Sequence, residues 1–187
     1  MENMRLTFPR NADRWHGCEA AREDGVLLQI PRYDRASAAL PHDLAHYVIE
    51  GELGLTRGFW GSLHAGATFA GMAETGRRRP HAGERSREIL RSNRGQIMES
   101  EVLVGIFVEA VERGWSPGLL KSRLDRRWTP IHPDVRELDM PQIERVYAAL
   151  QAMKDRWQST PAREALVLEW PIGRERLRTR SRVRHVA

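Results

Sequence analysis

His42 and His46 lie four residues apart in the segment LPHDLAHYVIEGELG, Leu40 to Gly54, with Asp43 between them and Glu50 one further turn on. Imidazole nitrogens and carboxylate oxygens are the side-chain donors that bind zinc and similar divalent ions. On a helix, a spacing of four stacks both imidazoles on one face, where two nitrogens can share an ion. The expected chemistry is a metal site. His42, His46 and Glu50 would bind zinc or another divalent metal, and Asp43 would be the catalytic base for the water that the metal activates.

That chemistry needs a helix, and the segment has the marks of one. Pro41 suits the first helical position, where its missing N–H costs nothing, and Gly54 suits the left-handed residue that ends a helix. At 100° steps Leu44, Ala45, Val48, Ile49 and Leu53 form an apolar arc. His42, Asp43, His46 and Glu50 form the neighbouring arc. Two other readings fit the same arc: a polar face in water, or a buried network in which the histidines bond Asp43 or Glu50 against the next segment and its His64.

The run His42-Asp43-Leu44-Ala45-His46 resembles the H-E-x-x-H motif of zincin-type metallopeptidases, with aspartate in the place of glutamate. The resemblance implies that His42 and His46 are ligands and that the reaction is metal-dependent hydrolysis. It covers five residues of 187, or nine with Glu50. Aspartate is one methylene shorter than glutamate, which reduces its reach towards the water. The glycine turn and third histidine of the extended metzincin pattern are absent, so a ligand beyond Glu50 would come from Glu74, Glu99 or His64.

The surrounding chain must supply the rest of the frame. Gly58 to Gly76 is rich in small residues, which lets another backbone approach closely and predicts a helix, or a loop and helix, packed on the first. Met4–Phe8, Val26–Ile30 and Ala165–Trp170 read as strands, the first two as antiparallel neighbours. Arg77–Arg94 reads as an exposed connection turning helical towards Ile89. Ile97–Arg113, stopped by Gly114, is the most apolar helix. Ser116-Pro117 starts another, and Asp139 with Gln142 forms a capping-box pattern for a last helix reaching Trp157. The expected fold class is α+β: a mostly helical domain with a small antiparallel sheet from two N-terminal strands and one C-terminal strand.

Composition narrows the classes. The chain is 41% hydrophobic and 29% charged, as expected of one soluble domain spanning residues 1–173. Cys18 is the single cysteine, which excludes an internal disulfide framework and fits a reducing compartment. The N-terminal MENMRLTFPR lacks a basic start followed by an apolar run, and no apolar stretch reaches spanning length. A cytoplasmic protein without a membrane partner is expected. Residues 174–187 hold six arginines and one glutamate, a net +5 equal to that of the whole chain, so the body is neutral. This tail, expected to be flexible, is the alternative functional element: an interaction module for nucleic acid or an acidic protein.

Overall fold

A computed structural model describes residues 3–10, 16–31, 39–76, 80–128 and 137–170. Among them, five strands and five helices form two layers: β1 (Met4–Pro9), β2 (His16–Ala21), β3 (Val26–Pro31), α1 (His42–Leu53), α2 (Phe59–His64), β4 (Ala73–Gly76), α3 (Ala82–Arg113), α4 (Pro117–Trp128), α5 (Met140–Ser159) and β5 (Ala165–Trp170). The fold is α+β. The sheet is antiparallel throughout, in the order β4-β3-β2-β1-β5.

The strand count corrects the expectation of three. The runs at β1 and β3 are not neighbours, because β2 lies between them and pairs with both. β2 escapes a search for apolar, β-branched runs because its inward residues are the small Cys18 and Ala20, both fully buried. β4 is only four residues long at the opposite edge from β5, too short to show a period.

One face of the sheet is packed and the other is wet, as alternation in an antiparallel sheet demands. Met4, Leu6 and Phe8 of β1, Val26, Leu28 and Ile30 of β3, and Leu166, Leu168 and Trp170 of β5 all point into the core. Arg5 stands opposite Glu169 on the outer face, and Leu6 stands opposite Leu168 on the inner one. The inner face meets the helical layer through pairs such as Phe8 on Trp60 and Tyr47 on Trp170.

Helix ends follow local chemistry. Gly54 and Gly114 adopt the left-handed conformation, at φ 67° and 64°, just past α1 and α3. Asp139 caps α5 through the N–H of Gln142, and the Gln142 side chain returns a bond to the Asp139 N–H. Pro41 sits one residue earlier than expected, at the N-cap of α1. The helix expected to form only towards Ile89 begins at Ala82 and is continuous with the apolar Ile97–Arg113 stretch. No helix among the described residues is long and apolar enough to cross a membrane. The arginine-rich tail, residues 174–187, lies outside the described residues.

α1 is the hub of the helical layer, packed against α2, α3 and α5. Its apolar arc is buried as expected, with Leu44, Ala45 and Ile49 fully excluded from solvent. Three residues of the adjoining arc are buried too, Asp43, His46 and Glu50 at 8%, 1% and 0% exposed, while His42 is part-exposed. That removes the reading of a solvated polar face, since buried imidazole and carboxylate groups must find partners.

Candidate metal centre

The segment after α1 supplies the cover over His46. α2 starts at Phe59, whose ring lies 5.2 Å from that of His46, and the Trp60 indole donates to the Asp43 carbonyl at 3.0 Å. Gly61 makes this turn possible, because a Cβ there would lie 1.9 Å from the Thr56 carbonyl oxygen. Within this small-residue segment the helix therefore precedes the loop, which leads on into β4.

α3 supplies the other wall. Its consecutive residues Ser100 and Glu101 straddle the His46 ring. Ser100 Oγ lies 2.8 Å from Nδ1, and Glu101 Oε1 lies 3.5 Å from Nε2. His42 reaches the same side, with its Nε2 3.2 Å from His46 Nε2 and 3.4 Å from Glu101 Oε2. Three donor groups on two helices thus converge, their ligand atoms all within 4.8 Å of one another.

The group could hold an ion. Donors held at about 2.0–2.1 Å by a tetrahedral zinc lie about 3.3–3.4 Å apart along each edge. The two imidazole nitrogens, 3.2 Å apart, lie near that edge, and the carboxylate meets each of them through a different oxygen, Oε2 at 3.4 Å from His42 and Oε1 at 3.5 Å from His46. Two imidazoles and a carboxylate are a donor set suited to zinc and its first-row neighbours. Burial is graded across the site: the His46 side chain is 1% exposed, His42 36% and Glu101 49%. The centre is anchored at His46 and open to solvent beside His42 and Glu101.

Each residue expected from the sequence can now be placed. His42 and His46 come together as expected. Glu50 touches His46 on the other nitrogen, with Oε1 3.1 Å from Nδ1, so the carboxylate facing the paired Nε2 atoms is that of Glu101. Asp43 turns towards the sheet, its Oδ2 3.7 Å from the Cys18 thiol, and is not among the three converging groups. His64 ends α2 and lines a separate cavity with Arg22, Glu74 and Arg85. Glu74 accepts from the Thr68 hydroxyl there. On α3 the acid that faces the histidines is Glu101, two residues beyond the expected candidate Glu99. Its only sequence signal is a charged side chain flanking the apolar stripe of α3.

Electrostatics sharpen the picture. Burial alone lowers the pKa of His46, but hydrogen bonds to Glu101 and Glu50, with the charge of both carboxylates, outweigh it and raise the value from 6.5 to about 9. Hydrogen bonds from His42 and then His46 hold Glu101 well below the usual carboxylate range. The two acids together therefore create a place for positive charge at His46 Nε2. A proton and a metal ion compete for that lone pair.

Comparison with protein families, curated proteins and solved structures finds no match to this chain.

Proposed function

We propose that the protein binds one divalent metal ion, zinc by the character of its donors, through His42 Nε2, His46 Nε2 and the Glu101 carboxylate, and uses it for hydrolysis. The observation that carries this reading is the convergence of two imidazole nitrogens and a carboxylate, whose ligand atoms lie within 4.8 Å of one another. Three protein ligands with a fourth position open to solvent form the pattern of a catalytic zinc site, whereas structural sites use four. A zinc ion there would act as a Lewis acid and bring the pKa of a water ligand towards about 7.

The chain's own residues divide the remaining work. His46, buried under Phe59, fixes one corner. His42 and Glu101 form the solvent-facing mouth of the site, where a substrate oxygen would enter. Asp43 has no part in this reading, because its carboxylate is turned to Cys18. Metal analysis of protein purified without an affinity tag tests the proposal. About one zinc per chain, lost when His42 and His46 are both replaced by alanine, supports it, and less than about 0.1 per chain overturns it. Hydrolysis of an activated ester such as p-nitrophenyl acetate by the zinc-loaded protein, abolished by chelation, tests the reaction separately.

A further inference from the structure

The buried carboxylate of Glu50 meets four polar groups at once, and metal ligation does not account for it. Its Oε1 accepts from the Phe59 N–H at 2.7 Å and from the Ser100 hydroxyl at 2.7 Å, and Oε2 accepts from the Trp60 N–H at 3.0 Å. Oε1 also lies 3.1 Å from His46 Nδ1. Gly58, the N-cap of α2, has no side chain with which to cap that helix. Glu50 reaches across from α1 and does so instead. A Cβ at position 58 would lie 2.5 Å from the Glu50 carboxyl carbon, so the carboxylate fills the space that the missing side chain leaves.

The network allows only one neutral tautomer of His46. Glu50 is acceptor-only, so the single proton of Ser100 is committed to it at 2.7 Å. Ser100 Oγ then turns a lone pair towards His46 Nδ1, 2.8 Å away. If Nδ1 carried no proton, it would face two electron pairs, from Ser100 and from Glu50, with nothing between them. With Nδ1–H, every contact among Nδ1, Ser100 and Glu50 is a donor meeting an acceptor, and the lone pair of the neutral ring is left on Nε2, towards His42 and Glu101. The proton on Nδ1 is assigned from this network.

We infer that Glu50, with Ser100, is the positioning pair of the metal centre: it fixes the tautomer and tilt of His46 so that Nε2 is presented to the ion, while the same carboxylate locks the start of α2 over the ring. The inference rests on the proposed metal site. It makes the α1–α2 junction part of that site, because the groups that hold Glu50 also hold His46. Outer-sphere partners of this kind change metal affinity by about 10- to 100-fold when removed.

Titration of the full-length, metal-free protein with cobalt(II), followed by its visible absorption well below the melting temperature, tests the inference. Glu50→Gln cannot serve all four contacts, since one end of the amide becomes a donor. It is expected to weaken cobalt binding by about 10- to 100-fold, with Ser100→Ala about 3- to 10-fold weaker than wild type. Asp139→Ala, which uncaps α5 by removing a bond that involves none of the site's residues, lowers the melting temperature and leaves affinity unchanged. A purely structural Glu50 would behave as Asp139 does. A folded Glu50→Gln variant that binds cobalt as tightly as wild type therefore overturns the inference and leaves the metal site standing. Should Glu50→Gln fail to fold, Ser100→Ala decides, and unchanged affinity in that variant overturns it. No cobalt binding by wild type removes the metal reading itself, and the inference with it.

Discussion

His46 Nε2 on α1 stands 3.5 Å from Glu101 Oε1 on α3, while its other nitrogen, Nδ1, stands 2.8 Å from the preceding residue of α3, Ser100. Two consecutive positions of one helix thus address opposite sides of a single imidazole. One side of the ring meets Ser100 and Glu50, and the other faces His42 and Glu101, where the proposed ion would bind. Several consequences can be measured.

Proton and metal compete at Nε2, so metal affinity depends on pH. With His46 raised to about 9, the proton must be displaced throughout the neutral range. Apparent zinc affinity is expected to rise about tenfold per pH unit between about pH 6 and 8 and to level off near 9. Calorimetric titrations in buffers of differing ionisation enthalpy should show about one proton released per zinc at about pH 7. A pH-independent affinity would contradict the shift.

The metal-free protein should show the converse. A histidine whose folded pKa lies above its unfolded 6.5 contributes stability that is complete below 6.5 and is lost as pH rises through about 9. Between about pH 6 and 10 the metal-free protein should therefore lose about 2 kcal/mol, a figure reduced because Glu101 is half exposed. His46→Gln should flatten that slope. Denaturant melts at several pH values provide the check.

Glycines in this chain should divide sharply by position. Gly61→Ala drives a methyl into the Thr56 carbonyl, which is backbone and cannot yield, and should cost about 3 kcal/mol or more. Gly58→Ala presses on the Glu50 carboxylate and should cost about 2 kcal/mol while also weakening metal binding. Gly105 behaves oppositely, because it is exposed within α3 and an added methyl would meet nothing within 4 Å. Gly105→Ala should stabilise by about 0.5–1 kcal/mol. Equilibrium unfolding of the three variants separates these outcomes.

Removing the α5 cap is a local test of the helical layer. Asp139→Ala loses the bond from the Gln142 N–H at 2.7 Å and should cost about 1 kcal/mol. Because α5 packs on α1, the variant should unfold in one transition with the site and not ahead of it.

Much of the frame is legible in the sequence because it is set by near neighbours. The left-handed stops at Gly54 and Gly114, the Asp139–Gln142 box and the alternating β5 all follow from residues within one turn or one strand. The histidine pair is legible for the same reason. β2 is not, since Cys18 and Ala20 pack inward without bulk or β-branching to mark them. Glu101 is not, because the register of α3 on α1 is a long-range relation that no spacing encodes. Nor can polarity alone show that Glu50 and His46 face a buried network, since a helix arc of polar residues reads the same whether it meets water or the start of another helix. The resemblance to H-E-x-x-H singles out His42, Asp43 and His46 together, whereas the converging group holds the two histidines with Glu101, and the Asp43 carboxylate lies 3.7 Å from the Cys18 thiol.

The central claim is that Glu101 completes a metal site with His42 and His46. Zinc titration of the metal-free protein, comparing wild type with Glu101→Gln and Glu99→Gln, tests it most directly. The account predicts one zinc per chain for wild type and for Glu99→Gln, and at least about tenfold weaker binding for Glu101→Gln. Equal binding by Glu101→Gln and wild type, or no binding by wild type, would contradict it.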